Sequence, residues 1–132
     1  MTLVDTSVWI DFFKGSDLPH VARLERLIDE EDTIALCGIN LTEILQGIDD
    51  DLVHRRVHSQ LRELVLVPLS ESTFVAAADI YRTLRRVGVT IRKTNDCIIA
   101  AAAMESGCSL LHNDRDFSVM AKLIPLEELA LN

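Results

Sequence analysis

MTLVDTSVWIDFF, Met1 to Phe13, is the stretch whose reading decides the fold. Its short apolar run, Leu3-Val4, reads as the end of a buried strand that stops at Asp5, Thr6 and Ser7. Ser7 to Phe13 then reads as a short helix, capped by Ser7 and closed by Gly15. Open α/β sheets build sites where a strand runs into polar residues and a helix start, because their ligand crevice lies beyond the carboxyl ends of the strands. Asp5 is therefore expected to begin a cluster of carboxylates drawn from distant parts of the chain.

The same alternation continues outward. Pro19 opens a helix carrying Val21, Leu24, Leu27 and Ile28, and Thr33–Leu36 is a short buried strand. Asn40 opens the next helix, with Leu41, Ile44, Leu45 and Ile48 on one face, and Asp49 to Asp51 start another. Leu64–Leu69 reads as a third strand, followed by a long helix over Thr73–Val87. Residues 89–95 connect to Asp96–Ser106, a helix apolar nearly all round and so expected to be buried. Ser109–Leu111 is a fourth strand, a short helix begins within Asn113–Asp116, and Lys122–Leu126 reads as a last edge strand with Pro125 in it. The pattern predicts a three-layer α/β/α sandwich around a central parallel sheet of four to five strands, as one domain over residues 1–132.

Composition narrows the function. At 132 residues, 48% hydrophobic and 26% charged, the chain is long enough for a core and too apolar for disorder. Its apolar runs are too short to span a bilayer, and no basic segment precedes an apolar one at the N-terminus. Cys37, Cys97 and Cys108 lack the paired spacing of a zinc site and read as buried thiols of a cytoplasmic protein. Thirteen basic against 21 acidic residues leave a net charge of −8, which counts against a nonspecific duplex binder. A nuclease remains open, because metal-holding carboxylates are themselves negative. Local basic residues would then guide the substrate, and Arg82, Arg85, Arg86, Arg92 and Lys93 form the densest group.

Each acidic candidate has an ordinary reading beside the functional one. Asp5 suits an Asx turn at a helix start. Glu43 stands at capping-box spacing from Asn40. Asp96 complements the dipole of the helix it opens, Asp114 and Asp116 suit loop carboxylates that cap the helix after them, and Arg115 and Asp116 suit a solvated pair. Together they sit at the rim ends of strands and at helix starts. Two unit charges about 4 Å apart cost roughly 4 kcal/mol at near-surface screening. Carboxylates brought together must protonate in part or hold a cation, and oxygen-only ligands select Mg²⁺ or Mn²⁺ over zinc. Such an ion activates water and stabilises charge on a phosphodiester.

Four stretches carry a family resemblance: VDTSVWIDFF, NLTEIL, NDCIIAAAA and LLHNDRDF. In this order and at these separations they resemble the acidic blocks of PIN domains, above all the VapC-type toxins of bacterial and archaeal toxin–antitoxin pairs. The resemblance implies a Mg²⁺-dependent endoribonuclease, usually a homodimer, acting on RNA and silenced by a cognate VapB-type antitoxin. It places catalytic and metal-binding roles on Asp5, Glu43, Asp96 and Asp114. Asp116 becomes an accessory metal ligand, and Thr6 or Ser7 orients water or ligand. His112 departs from the pattern, standing where such toxins often carry threonine or serine, and is expected as a hydrogen-bond donor or metal ligand beside Asp114. Arg92, Lys93, Arg85 and Arg86 would lead RNA to the site.

His20, His54 and His58 are expected on polar surfaces, and Trp9, Phe12 and Phe13 in a groove for the antitoxin or a second copy. A receiver-type signalling domain, also a small Mg²⁺-binding α/β protein, would need an aspartate after the third strand, where Pro68, Leu69 and Ser70 stand instead. A non-catalytic module of the same fold would differ by failing to cleave RNA in a chelator-sensitive way.

Overall fold

A computed structural model describes residues 1–132. Four strands, β1 (Thr2–Val4), β2 (Ile34–Leu36), β3 (Val65–Leu66) and β4 (Ser109–Leu111), form one parallel sheet in the order β3-β2-β1-β4. Seven helices connect and cover them: α1 (Thr6–Phe13), α2 (Pro19–Asp29), α3 (Gly38–Gln46), α4 (Asp51–Leu61), α5 (Glu71–Arg86), α6 (Thr94–Glu105) and α7 (Arg115–Leu123).

Alternation along each strand divides the interior in two. Leu3, Ala35 and Leu110 face a core built with α5, α6 and α7, which includes Leu84, Ile99, Phe117 and Met120. Val4, Ile34, Leu36 and Leu111 face the opposite core, with Val8, Trp9, Leu24, Ile44 and Val57 from α1 to α4. This is the expected three-layer sandwich. The chain winds from β1 outward to β3, then returns across to β4 on the other side of β1. The reversal leaves a crevice beyond the carboxyl ends of β1 and β4.

Several boundaries differ from the sequence reading, each for a local reason. Asp5, not Ser7, caps α1: its carboxylate accepts from Ser7 N at 3.0 Å. Helix α3 starts at Gly38, straight after β2, and Asn40 folds back so that its Oδ1 accepts from Cys37 N at 3.1 Å. Glu43 therefore lies in the second turn and is free of the capping role. The third strand shortens to two residues at the exposed sheet edge. No fifth strand forms over 122–126, because α7 itself runs through Leu123 and Ile124 N bonds back to Met120 O at 2.9 Å. The chain instead meets β4 later, through a single parallel bridge between Leu110 and Glu128. His20 is not on a polar surface: it is 5% exposed, and its Nε2 lies 2.6 Å from Asp11 Oδ2, tying α2 to α1.

Candidate metal centre

Asp5 leaves β1 with its backbone N–H still paired to Leu111 O at 2.9 Å, so the strand ends at the crevice by construction. Its carboxylate is buried and well supplied with donors. Oδ2 accepts from Ser7 Oγ at 2.6 Å as well as from Ser7 N, and Oδ1 accepts from Asn40 Nδ2 at 3.4 Å. The Asx-turn reading of Asp5 thus holds, and the same carboxylate also acts by its charge on Asp96, although it lies outside the closest group of three carboxylates. Burial raises its pKa, opposed by the Ser7 bonds and reinforced by the charge of Glu43.

Thr6 and Asn40 bind Glu43 to Asp5. Thr6 Oγ1 donates to Glu43 Oε1 at 2.8 Å and accepts from Asn40 Nδ2 at 3.2 Å. Asn40 is fully buried. The sequence reading used it only as a helix start; a lone amide before an apolar helical face was the one signal of its wider part. On the other side, Ser7 Oγ accepts from Asn113 N at 3.0 Å and pins the β4–α7 turn to α1.

That turn brings Asp114 and Asp116 to Asp96. Asp114 caps α7, its Oδ1 accepting from Asp116 N at 2.9 Å. Asp96, in the first turn of α6, is 5% exposed. One oxygen from each of the three carboxylates falls within 4.8 Å of the others. Asp116, the accessory candidate of the sequence, belongs to the same group as Asp114. Burial first, then the charges of Asp114 and Asp5, push the Asp96 carboxyl up to about 7, against a small opposing pull from Lys93.

The residues fit a divalent cation. Asp96 Oδ2 is buried with no hydrogen-bond partner. A buried acceptor without a donor costs about 1–3 kcal/mol, which a cation in the crevice would remove. Adjacent and opposite oxygens around Mg²⁺ stand about 3 and 4 Å apart given its bond length of about 2.1 Å, so a small contraction of the three groups meets the requirement.

The remaining candidates are distributed. His112 spends both ring nitrogens on protein atoms, Nδ1 on Asp114 N at 3.1 Å and Nε2 on Glu128 Oε2 at 2.6 Å, and so is not a ligand. Arg85 turns to Thr90 and Arg82 to Asp79, while Arg86 and Arg92 are exposed. Trp9 is core, whereas Phe12 and Phe13 line a groove of about 670 Å³ with Ile10, Ile44, Val53 and Val57. Glu43 reaches the same groove.

Comparison with known proteins agrees with this architecture. The family model described as PIN domain matches residues 2–123. VapC ribonuclease Mb1587 of Mycobacterium bovis and ribonuclease VapC11 of Mycobacterium tuberculosis are each 38% identical to this chain over 129 residues, covering 96% of it and 96% of the relative. Among solved structures, VapBC-1 from nontypeable Haemophilus influenzae matches with a TM-score of 0.76 at 19% identity, over 98% of this chain and 97% of that one. FitAcB from Neisseria gonorrhoeae matches at 0.75 and 22%, over 99% and 98%. At such identities these structures speak for the fold alone. With a family model over nearly its whole length and VapC relatives at 38% identity, the chain belongs to the PIN-domain family, in its VapC group.

Proposed function

We propose that this chain is a divalent-metal-dependent endoribonuclease, the toxin of a toxin–antitoxin pair, acting as one nuclease domain over residues 1–132. The observation that carries the reading is the buried, partnerless oxygen of Asp96, on a carboxylate grouped with those of Asp114 and Asp116, in a chain 38% identical to VapC ribonucleases. Asp96, Asp114 and Asp116, with Asp5 beside them, would hold the ion, and Mg²⁺ or Mn²⁺ suits an all-oxygen set. When bound, the ion lowers the pKa of a coordinated water and offsets charge on the phosphodiester.

The chain's own groups do the rest. Thr6 and Asn40 hold Glu43 at the edge of the site, where its second carboxylate oxygen can take a proton from the attacking water. Ser7 donates two hydrogen bonds to Asp5, which oppose the rise in its pKa caused by burial, and its hydroxyl holds the Asp114 turn in place. The Phe12–Phe13 groove runs to Glu43, so a VapB-type antitoxin segment seated there would end beside the site and block RNA.

Digestion of total cellular RNA by the purified chain tests the reading. Cleavage should require added Mg²⁺ or Mn²⁺, stop with a chelator, and vanish in Asp96→Asn. Chelator-insensitive cleavage, or full activity in Asp96→Asn, would overturn it.

A further inference from the structure

We propose that Glu128 and His112 form a positioning relay that sets Asp114, and through it Asp116, for the metal. The inference rests on the reading of the acidic cluster as a metal site. Because a backbone N–H can only donate, His112 Nδ1 must be the unprotonated acceptor in its 3.1 Å bond with Asp114 N. Nε2 therefore carries the proton and donates to Glu128 Oε2 at 2.6 Å. Ser118 Oγ donates to the same carboxylate oxygen at 3.3 Å. The imidazole side chain is 8% exposed and packs on Phe117, with ring centroids 5.3 Å apart.

The order of contacts gives the direction of the relay. Glu128 fixes the tautomer and angle of His112, His112 fixes the Asp114 backbone, and Asp114 in turn caps the helix that begins with Arg115 and carries Asp116. Glu128 is itself held against β4, since Leu110 N donates to Glu127 O at 2.8 Å and Leu129 N donates to Leu110 O at 2.9 Å. A residue beyond the last helix thus reaches the site through one ring. Partners of this kind, which touch no metal, typically change metal affinity roughly 10- to 100-fold when removed.

The test uses the whole chain, metal-free and then titrated with Mn²⁺ in a calorimeter. In metal-free protein the Asp114 amide should exchange slowly in the wild type and fast in His112→Phe and Glu128→Ala. Both variants should bind Mn²⁺ roughly 10- to 100-fold more weakly. His112→Asn keeps an acceptor for the Asp114 N–H without reaching Glu128, and should recover most of the loss. Adding Glu128→Ala to His112→Asn should then change nothing further. Wild-type Mn²⁺ affinity and wild-type Asp114 exchange in Glu128→Ala would overturn the relay, whether or not His112→Phe folds. Failure of the wild type to bind Mn²⁺, or binding indifferent to Asp96→Asn, removes the metal reading instead and leaves the metal-free exchange to decide the relay.

Discussion

Asp96 is where the site works against the fold. Its carboxyl is buried without a donor and its pKa is raised to about 7 by burial and by Asp114 and Asp5. A raised carboxylate favours the folded state while protonated and weakens it once ionised. Well below the unfolded value of 3.8 the group is neutral folded and unfolded, so Asp96→Asn should match the wild type. As pH rises from the unfolded value of 3.8 through about 7, the metal-free wild type should fall behind. Above that the variant should be more stable by about 1–3 kcal/mol, read by urea denaturation in chelator; equal stability at pH 8 would contradict the assignment. Mn²⁺ affinity of the wild type should decline below pH 7, where the proton competes for the same oxygen. Asn40 works the other way. Asn40→Ala strips a partner from Cys37 N, Asp5 and Thr6 at once, and should cost about 1–3 kcal/mol in the same denaturation assay. Asp5, Asp96 and Asp114 were legible because each follows a strand end or starts an apolar helix. Asn40, His20 and Glu128 were not, because their partners lie in other elements: Asn40 reads as a helix start, His20 as a polar surface residue, and Glu128 carries no motif.

At the scale of elements, α6 is the one the site depends on. It is buried on nearly every side, with Cys97, Ile99 and Ala100 to Ala103 in the interior, and small side chains let it lie close to the sheet and to α5. Ala102 has no exposure at all. Ala102→Leu should therefore destabilise the fold by about 1–3 kcal/mol through overpacking, and should also lower Mn²⁺ affinity by displacing Asp96, although residue 102 touches no ligand. Wild-type affinity in a folded Ala102→Leu would show that α6 has more freedom than its packing suggests. Interior elements were the readable ones: β1, β2, β4 and α6 announce themselves by unbroken apolar residues. The sheet edges were not. LVLVPL promised a longer strand than the two exposed residues that pair, and 122–126 promised a strand where α7 runs on to Leu123 and the chain then leaves it without pairing. Edge pairing depends on what lies alongside, which a local apolar pattern does not contain.

For the molecule as a whole, topology and charge pull the substrate in different directions. The return of the chain across β1 gathers its carboxylates into one crevice, and this contributes to a net charge of −8 that repels RNA. Association must then rest on the few cations near the crevice. Lys93 is the one whose charge acts on Asp96, and Arg92 precedes it on the exposed connector into α6. With so few phosphate contacts, affinity should fall only gently with salt, by about 0.7 in log–log slope for each single-strand phosphate neutralised. Arg92→Glu and Lys93→Glu, each placed in the cleavage-dead Asp96→Asn background, should weaken binding of a short single-stranded RNA at moderate salt and flatten that slope. In the active background the two should part. Lys93→Glu removes the positive charge that opposes the rise of the Asp96 pKa, so it should lower Mn²⁺ affinity as well, whereas Arg92→Glu should leave the metal alone. Unchanged RNA affinity in both charge reversals would place the RNA path elsewhere, and an equal loss of Mn²⁺ affinity in both would mean that general charge, not the position of Lys93, sets the field at Asp96.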